Sequence, residues 1–145
     1  MLRIKELSDM IDIAQDTVIG EDLYYDKVNH RIMITNEDFD MDDSIAFDDD
    51  FISIQVMPFG RDMFLAFFDT ITNSNVRDMF RDRFHGARKY RKVKDLLPRY
   101  HLLDAFYKFK DQYQLKIAKR WCMDHHIDYI DIDGKIIKVD SNRSD

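Results

Sequence analysis

The chain has little of what punctuates or staples a small protein. Its 145 residues include one cysteine, two prolines and four glycines. A lone Cys122 excludes an internal disulfide framework and fits a reducing cytoplasm better than a secreted setting. So few prolines and glycines predict regular elements with short connections instead of linkers. No run approaches the ~20 apolar residues of a membrane-spanning helix, so no membrane is expected as a partner. Met1-Leu2-Arg3-Ile4-Lys5-Glu6 meets charge at once, without the apolar stretch of a secretory leader. A nucleophile elbow, a glycine-rich phosphate loop and a His-Glu-x-x-His helix are also missing, so no catalytic residue and no cofactor is assigned.

What is there is hydrophobic (45%) and charged (34%) in proportions that suit a packed, soluble protein and not a disordered one. A chain of this length buries roughly 68–70% of its unfolded surface, enough for a core without staples. One domain over 1–140 is expected, with 141–145 as a polar tail that frays.

Apolar spacing predicts the elements. Ile4, Leu7, Met10, Ile11 and Ala14 recur every three or four residues, predicting an amphipathic helix over about Ile4–Asp16. Glu21–Asp26 and Arg31–Thr35 read as a hairpin with Asn29 tolerant of its turn, and Phe51–Met57 as a third strand closed by Pro58. From Gly60 the period becomes helical. Met63, Phe64, Phe67, Phe68 and Ile71 form one stripe, and Ser74 or Asn75 is expected to cap the next helix, which buries Val76, Met79, Phe80 and Phe84. Gly86 marks a stop. Ala87–Leu97 restarts with Tyr90, Val93, Leu96 and Leu97 inward. The longest helix is predicted over Leu102–His125, with Leu102, Phe106, Phe109, Tyr113, Ile117 and Trp121 on one side. Ile127–Ile132 and Lys135–Val139 alternate around Asp133-Gly134, a hairpin signal. Strands at both ends with three to four helices between predict an α+β fold whose C-terminal hairpin joins the sheet.

The net charge of −6 is unevenly spread. Residues 1–76 carry 5 Lys and Arg against 17 Asp and Glu, residues 77–120 carry 14 against 5, and residues 121–145 carry 3 against 6. Arg81, Arg83, Arg88, Lys89, Arg91, Lys92 and Lys94 crowd one stretch, a pattern that draws polyanions through counterion release. Nucleic acid or an acidic protein surface is the partner class this implies, with Phe84 and Tyr90 as aromatics that could stack on bases. The plain alternative is a solvated surface neutralised by the chain's own Asp-rich stretch, Asn36–Asp50.

The order of these pieces resembles the bacterial uncharacterised protein family 0158. The matching stretches are Gly86–Asp95, Phe106-Tyr107-Lys108-Phe109-Lys110-Asp111 and Ala118-Lys119-Arg120-Trp121, with Arg88 where that family carries an aromatic. The resemblance implies a cytoplasmic protein and, since the family has no assigned chemistry, transfers no catalytic residue.

Three smaller patterns invite metal or catalytic readings. Asp38, Asp40 and Asp42 have the first spacings of an EF-hand, but Asp43 stands where the loop needs glycine and Asp49 where a bidentate glutamate is usual. In an alternative reading these carboxylates hold a divalent ion in a small hydrolase acting on a phosphate-bearing substrate. Cys122 and His126 are one helical turn apart, without the further pair a zinc site requires. Asp131, Asp133 and Lys135 read as hairpin and turn positions before they read as a nuclease constellation. A non-enzymatic interaction module is therefore the leading expectation.

Overall fold

The structure, a computed structural model, describes residues 1–16, 22–35 and 50–139. It is an α+β fold of helices and two small sheets. Its contacts divide the chain into two compact units, one formed by Met1–Met57 with Gln114–Asp145, the other by Pro58–Tyr113.

In the first unit, β1 (Leu2–Arg3) leads directly into α1 (Ile4–Asp16). Ile4, Leu7 and Ile11 are buried along one face of α1, as their spacing requires. The hairpin of β2 (Asp22–Asp26) and β3 (Arg31–Thr35) pairs in the expected register, Leu23 opposite Ile34 and Tyr25 opposite Ile32. β4 (Phe51–Ile54) lies antiparallel on the other side of β2, and is shorter than the predicted Phe51–Met57. The turn between β2 and β3 is organised by Asp26. Its carboxylate accepts hydrogen bonds from the Val28 and Asn29 backbone N–H groups (3.0 and 3.2 Å) and from Asn29 Nδ2 (2.8 Å). His30, rather than Asn29, takes the left-handed corner at φ 54°.

The C-terminal hairpin, β5 (Tyr129–Ile130) with β6 (Ile136–Ile137), pairs with β1 and not with the sheet of β2, β3 and β4 that it was expected to join. Leu2 pairs with Tyr129 and Arg3 with Ile130 in parallel, so the hairpin and the β3-β2-β4 sheet remain separate. Instead of the two-residue turn expected at Asp133-Gly134, the hairpin loop is closed by Gly134 N–H donating to Asp131 O (2.9 Å) and Asp131 N–H donating to Lys135 O (2.8 Å). Gly134 takes φ 88°, which a glycine adopts without a Cβ clash.

The second unit is helical: α2 (Gly60–Asp69), α3 (Ser74–Arg83), α4 (Lys89–Leu96), a short 3₁₀ turn (Pro98–Tyr100) and the start of α5 (Leu103–Asp124), whose later turns belong to the first unit. Its core is aromatic. Phe64 stacks on Phe84 at 5.5 Å and packs against Phe106 at 4.9 Å, while Phe68 meets Phe80 at 5.7 Å and Phe84 at 5.4 Å. Such ring pairs add about 0.5–1.5 kcal/mol each beyond the area they bury. The cap expected at Ser74 or Asn75 falls on Asn73, whose side chain accepts from the Asn75 and Val76 N–H groups. Among the described residues, four without a glycine's freedom hold positive φ: His30, Arg88, His101 and His126.

Candidate functional site

The cations of the second unit are placed by the connection from α3 to α4. α3 stops at Arg83 and Gly86 turns through φ 74°, three residues beyond the helix end. Arg88 then takes the N-cap position of α4 in the left-handed region, with no side chain capping the helix. A helix start of this kind leaves its first backbone N–H groups without intrahelical partners and carries the positive end of the helix dipole.

Around it the predicted residues part company. Arg81 forms an ion pair with Asp69 and is already neutralised. Lys89 is half-buried, its Nζ lying 5.0 Å from the Phe84 ring centre and 5.4 Å from that of Tyr90. Arg83, Arg88, Arg91, Lys92 and Lys94 are exposed and form no ion pair among the described residues. At about 100° of turn per residue, Lys92 and Lys94 flank the buried Val93 and Arg91 lies nearly opposite it. The three charges thus cover the outward half of α4. Phe84 is buried and closed to a stacking ligand, whereas Tyr90, expected inward, is 38% exposed and meets Phe64 and Phe84 in edge contacts.

The other sequence patterns fare differently. Asp38, Asp40 and Asp42, with the rest of the Asp-rich stretch up to Asp49, lie outside the described residues. Among the described residues no group of three His, Cys, Asp or Glu side chains could hold a metal ion. Cys122 is fully buried in the first unit, and burial pushes its thiol up to about 12. Tyr25 and Tyr129 are raised above the usual phenol range, first by burial and then by neighbouring charges including that of Cys122. At neutral pH the Cys122 thiol and both phenols are therefore uncharged, and the Cys122 and phenol charges would oppose one another only at high pH. Asp131 pairs with Lys119 of α5 at 3.5 Å, and Asp133 accepts from the Lys135 N–H at 2.9 Å within the hairpin loop.

One feature had no counterpart in the sequence reading. A cleft of about 350 Å³ opens within the second unit, between the α2–α3 connection and the segment that enters α5. Phe67, Ile71, Val76 and Leu102 line it together with Tyr100 and Ala105, and Thr70, Thr72 and Asn73 add polar atoms. Its only sequence signal was the Thr72-Asn73 break, which marks a helix boundary and says nothing of a cavity.

No family model matches the chain, and neither a curated protein nor a solved structure does.

Proposed function

We propose that this chain is a non-enzymatic cytoplasmic binding module whose helical unit presents a cationic face to a polyanion, a nucleic acid or an acidic protein surface. The observation that carries it is the set of five exposed cations, Arg83, Arg88, Arg91, Lys92 and Lys94, which form no ion pair among the described residues and run from the end of α3 through the uncapped start of α4 to its last turn. The unit that bears them has 12 Lys and Arg against 7 Asp, a balance of +5. The exposed Tyr90 ring supplies an aromatic surface next to the cations, which favours unpaired bases over a smooth duplex. The chain's overall −6 works against the encounter, so binding is expected to be salt-sensitive and strongest at low salt. Kinship with family 0158 belongs to the same proposal: Gly86–Asp95 spans the α3–α4 connection and most of α4, and the two other shared stretches lie on α5.

The test replaces Arg88, Arg91, Lys92 and Lys94 with Ser and measures binding of a labelled single-stranded oligonucleotide and of polyglutamate across a salt series. Loss of phosphate contacts should weaken oligonucleotide binding at least about tenfold and flatten its dependence on salt. Transfer of that loss to polyglutamate alone would identify an acidic protein as the partner. Binding of both probes that is unchanged by substitution and by salt would remove the proposal.

A further inference from the structure

We infer that the cleft of the helical unit is a binding site for a small, uncharged, planar bicyclic heterocycle that carries an N–H beside a carbonyl. A cavity of about 150 Å³ accepts a benzene ring. The cleft's volume of about 350 Å³ therefore suits a fused pair of rings with little to spare. Its walls dictate a flat, apolar body. Tyr100, 42% exposed, packs edge-on against Phe80 at 5.7 Å and 68° and contributes its ring to the cleft wall. No Asp, Glu, Lys, Arg or His is among the lining residues, so a charged ligand would give up its hydration without gaining a counter-charge.

The polar atoms of the lining determine the ligand's edge. Thr70 donates its hydroxyl hydrogen to the Phe67 carbonyl at 2.6 Å, which leaves its oxygen as an acceptor. Asn73 uses Oδ1 to accept two backbone N–H groups of α3, and this fixes the amide's orientation and leaves Nδ2 as a donor. Both residues line the cleft, so it offers a ligand one acceptor and one donor, the complement of an N–H and a carbonyl, with the ligand N–H on Thr70 and its carbonyl on Asn73. Nothing in this site draws on the cationic face.

The test uses 2-quinolone as probe, with N-methyl-2-quinolone as the same ring system lacking the N–H, and follows backbone amide resonances of the full chain. Saturable shifts confined to Thr70–Asn73 and the Tyr100–Ala105 segment are expected with 2-quinolone, and binding about tenfold weaker with the N-methyl compound, the loss of one hydrogen bond. Ala105 is exposed, so Ala105→Phe should fill the cleft without disturbing the core and abolish the shifts. Thr70→Val should reproduce the N-methyl loss without adding bulk. The Ser-substituted cationic variant should bind 2-quinolone as the parent does. Absence of saturable shifts, or shifts that survive Ala105→Phe with the fold intact, would overturn the inference; equal binding of the two quinolones would overturn its lactam edge.

Discussion

The two units of this chain dispose of charge in opposite ways. The first has 10 Lys and Arg against 21 Asp and Glu, and six of its described cations, Lys5, Arg31, Lys119, Arg120, Lys135 and Lys138, lie within 4.0 Å of a carboxylate. The second, with cations in excess, satisfies Arg81 through Asp69 and leaves its α4 charges without such partners among the described residues. Their cores differ too. Aliphatic side chains from α1 and β1 dominate the first, beside Tyr25 and Trp121 in an edge-on contact at 6.3 Å, whereas phenylalanines fill the second. An acidic surface with abundant carboxylates absorbs its few cations as structure. A basic unit with few acids leaves these cations without ion pairs among the described residues, and that is the physical basis for looking for a polyanion there.

The comparison is most easily broken at the aromatic core. Phe68 is fully buried and touches the rings of Phe64, Phe67, Phe80 and Phe84. Phe68→Ala should destabilise the protein by about 3–5 kcal/mol in urea unfolding, because the transfer loss is joined by a cavity that ring neighbours cannot fill. A cost below about 1 kcal/mol would show that ring packing does not define this unit.

A smaller effect sharpens the view of the acidic unit. Asp26 is 1% exposed, and burial opposes its charge, yet hydrogen bonds from Asn29 and Val28 and the Arg31 guanidinium at 3.6 Å hold its carboxyl below the usual range. A depressed folded value stabilises the protein above the unfolded carboxyl range of about 4, and that contribution is lost as pH falls through the folded value. Asp26→Asn should cost about 1–3 kcal/mol at pH 7 and flatten the acid limb of the stability curve. An acid limb identical to the parent's would show that this carboxylate is not what holds the turn.

The least effect is expected from the ion pairs that consume cations in the first unit. Lys5 and Asp9 meet at 2.7 Å with side chains 61% and 56% exposed. Lys5→Ala should change thermal stability by less than about 0.5 kcal/mol, as solvent screens the pair. A larger loss would mean that these contacts stabilise the unit as well as neutralising it.

Much of this architecture could be read from spacing. The helix at Ile4–Asp16, the hairpin of β2 and β3 and the stripe of α2 each follow a period set by their own buried face. The failures have physical causes. β1 is two residues long, too short to show alternation, so the sheet that receives the C-terminal hairpin was invisible. On α5 the predicted stripe runs mainly in four-residue steps, each overshooting a turn by about 40°. Ile117 is accordingly only half-buried, and Gln114, Ala118 and Cys122 are buried in its place. Gln114 is accommodated by donating from Nε2 to Asp12 at 2.8 Å, a partner 102 positions away that no local pattern reveals. The cations of the candidate face were plain in the sequence, but the separation of Arg81 from the rest depended on Asp69, twelve residues distant. The cleft was hidden because its walls come from segments whose meeting is a tertiary fact.

Glycine is scarce enough here that histidine and arginine must make left-handed corners, at His30, Arg88, His101 and His126. Each of these side chains sits in a backbone shape that costs on the order of 1 kcal/mol relative to glycine. A glycine replacement at any of them would relieve that cost while giving the unfolded chain more freedom to lose, and at His30 it would also remove the hydrogen bond to the Tyr25 hydroxyl. At Arg88 the same replacement would also remove one cation of the proposed binding face, so under that proposal backbone ease and charge compete for one position.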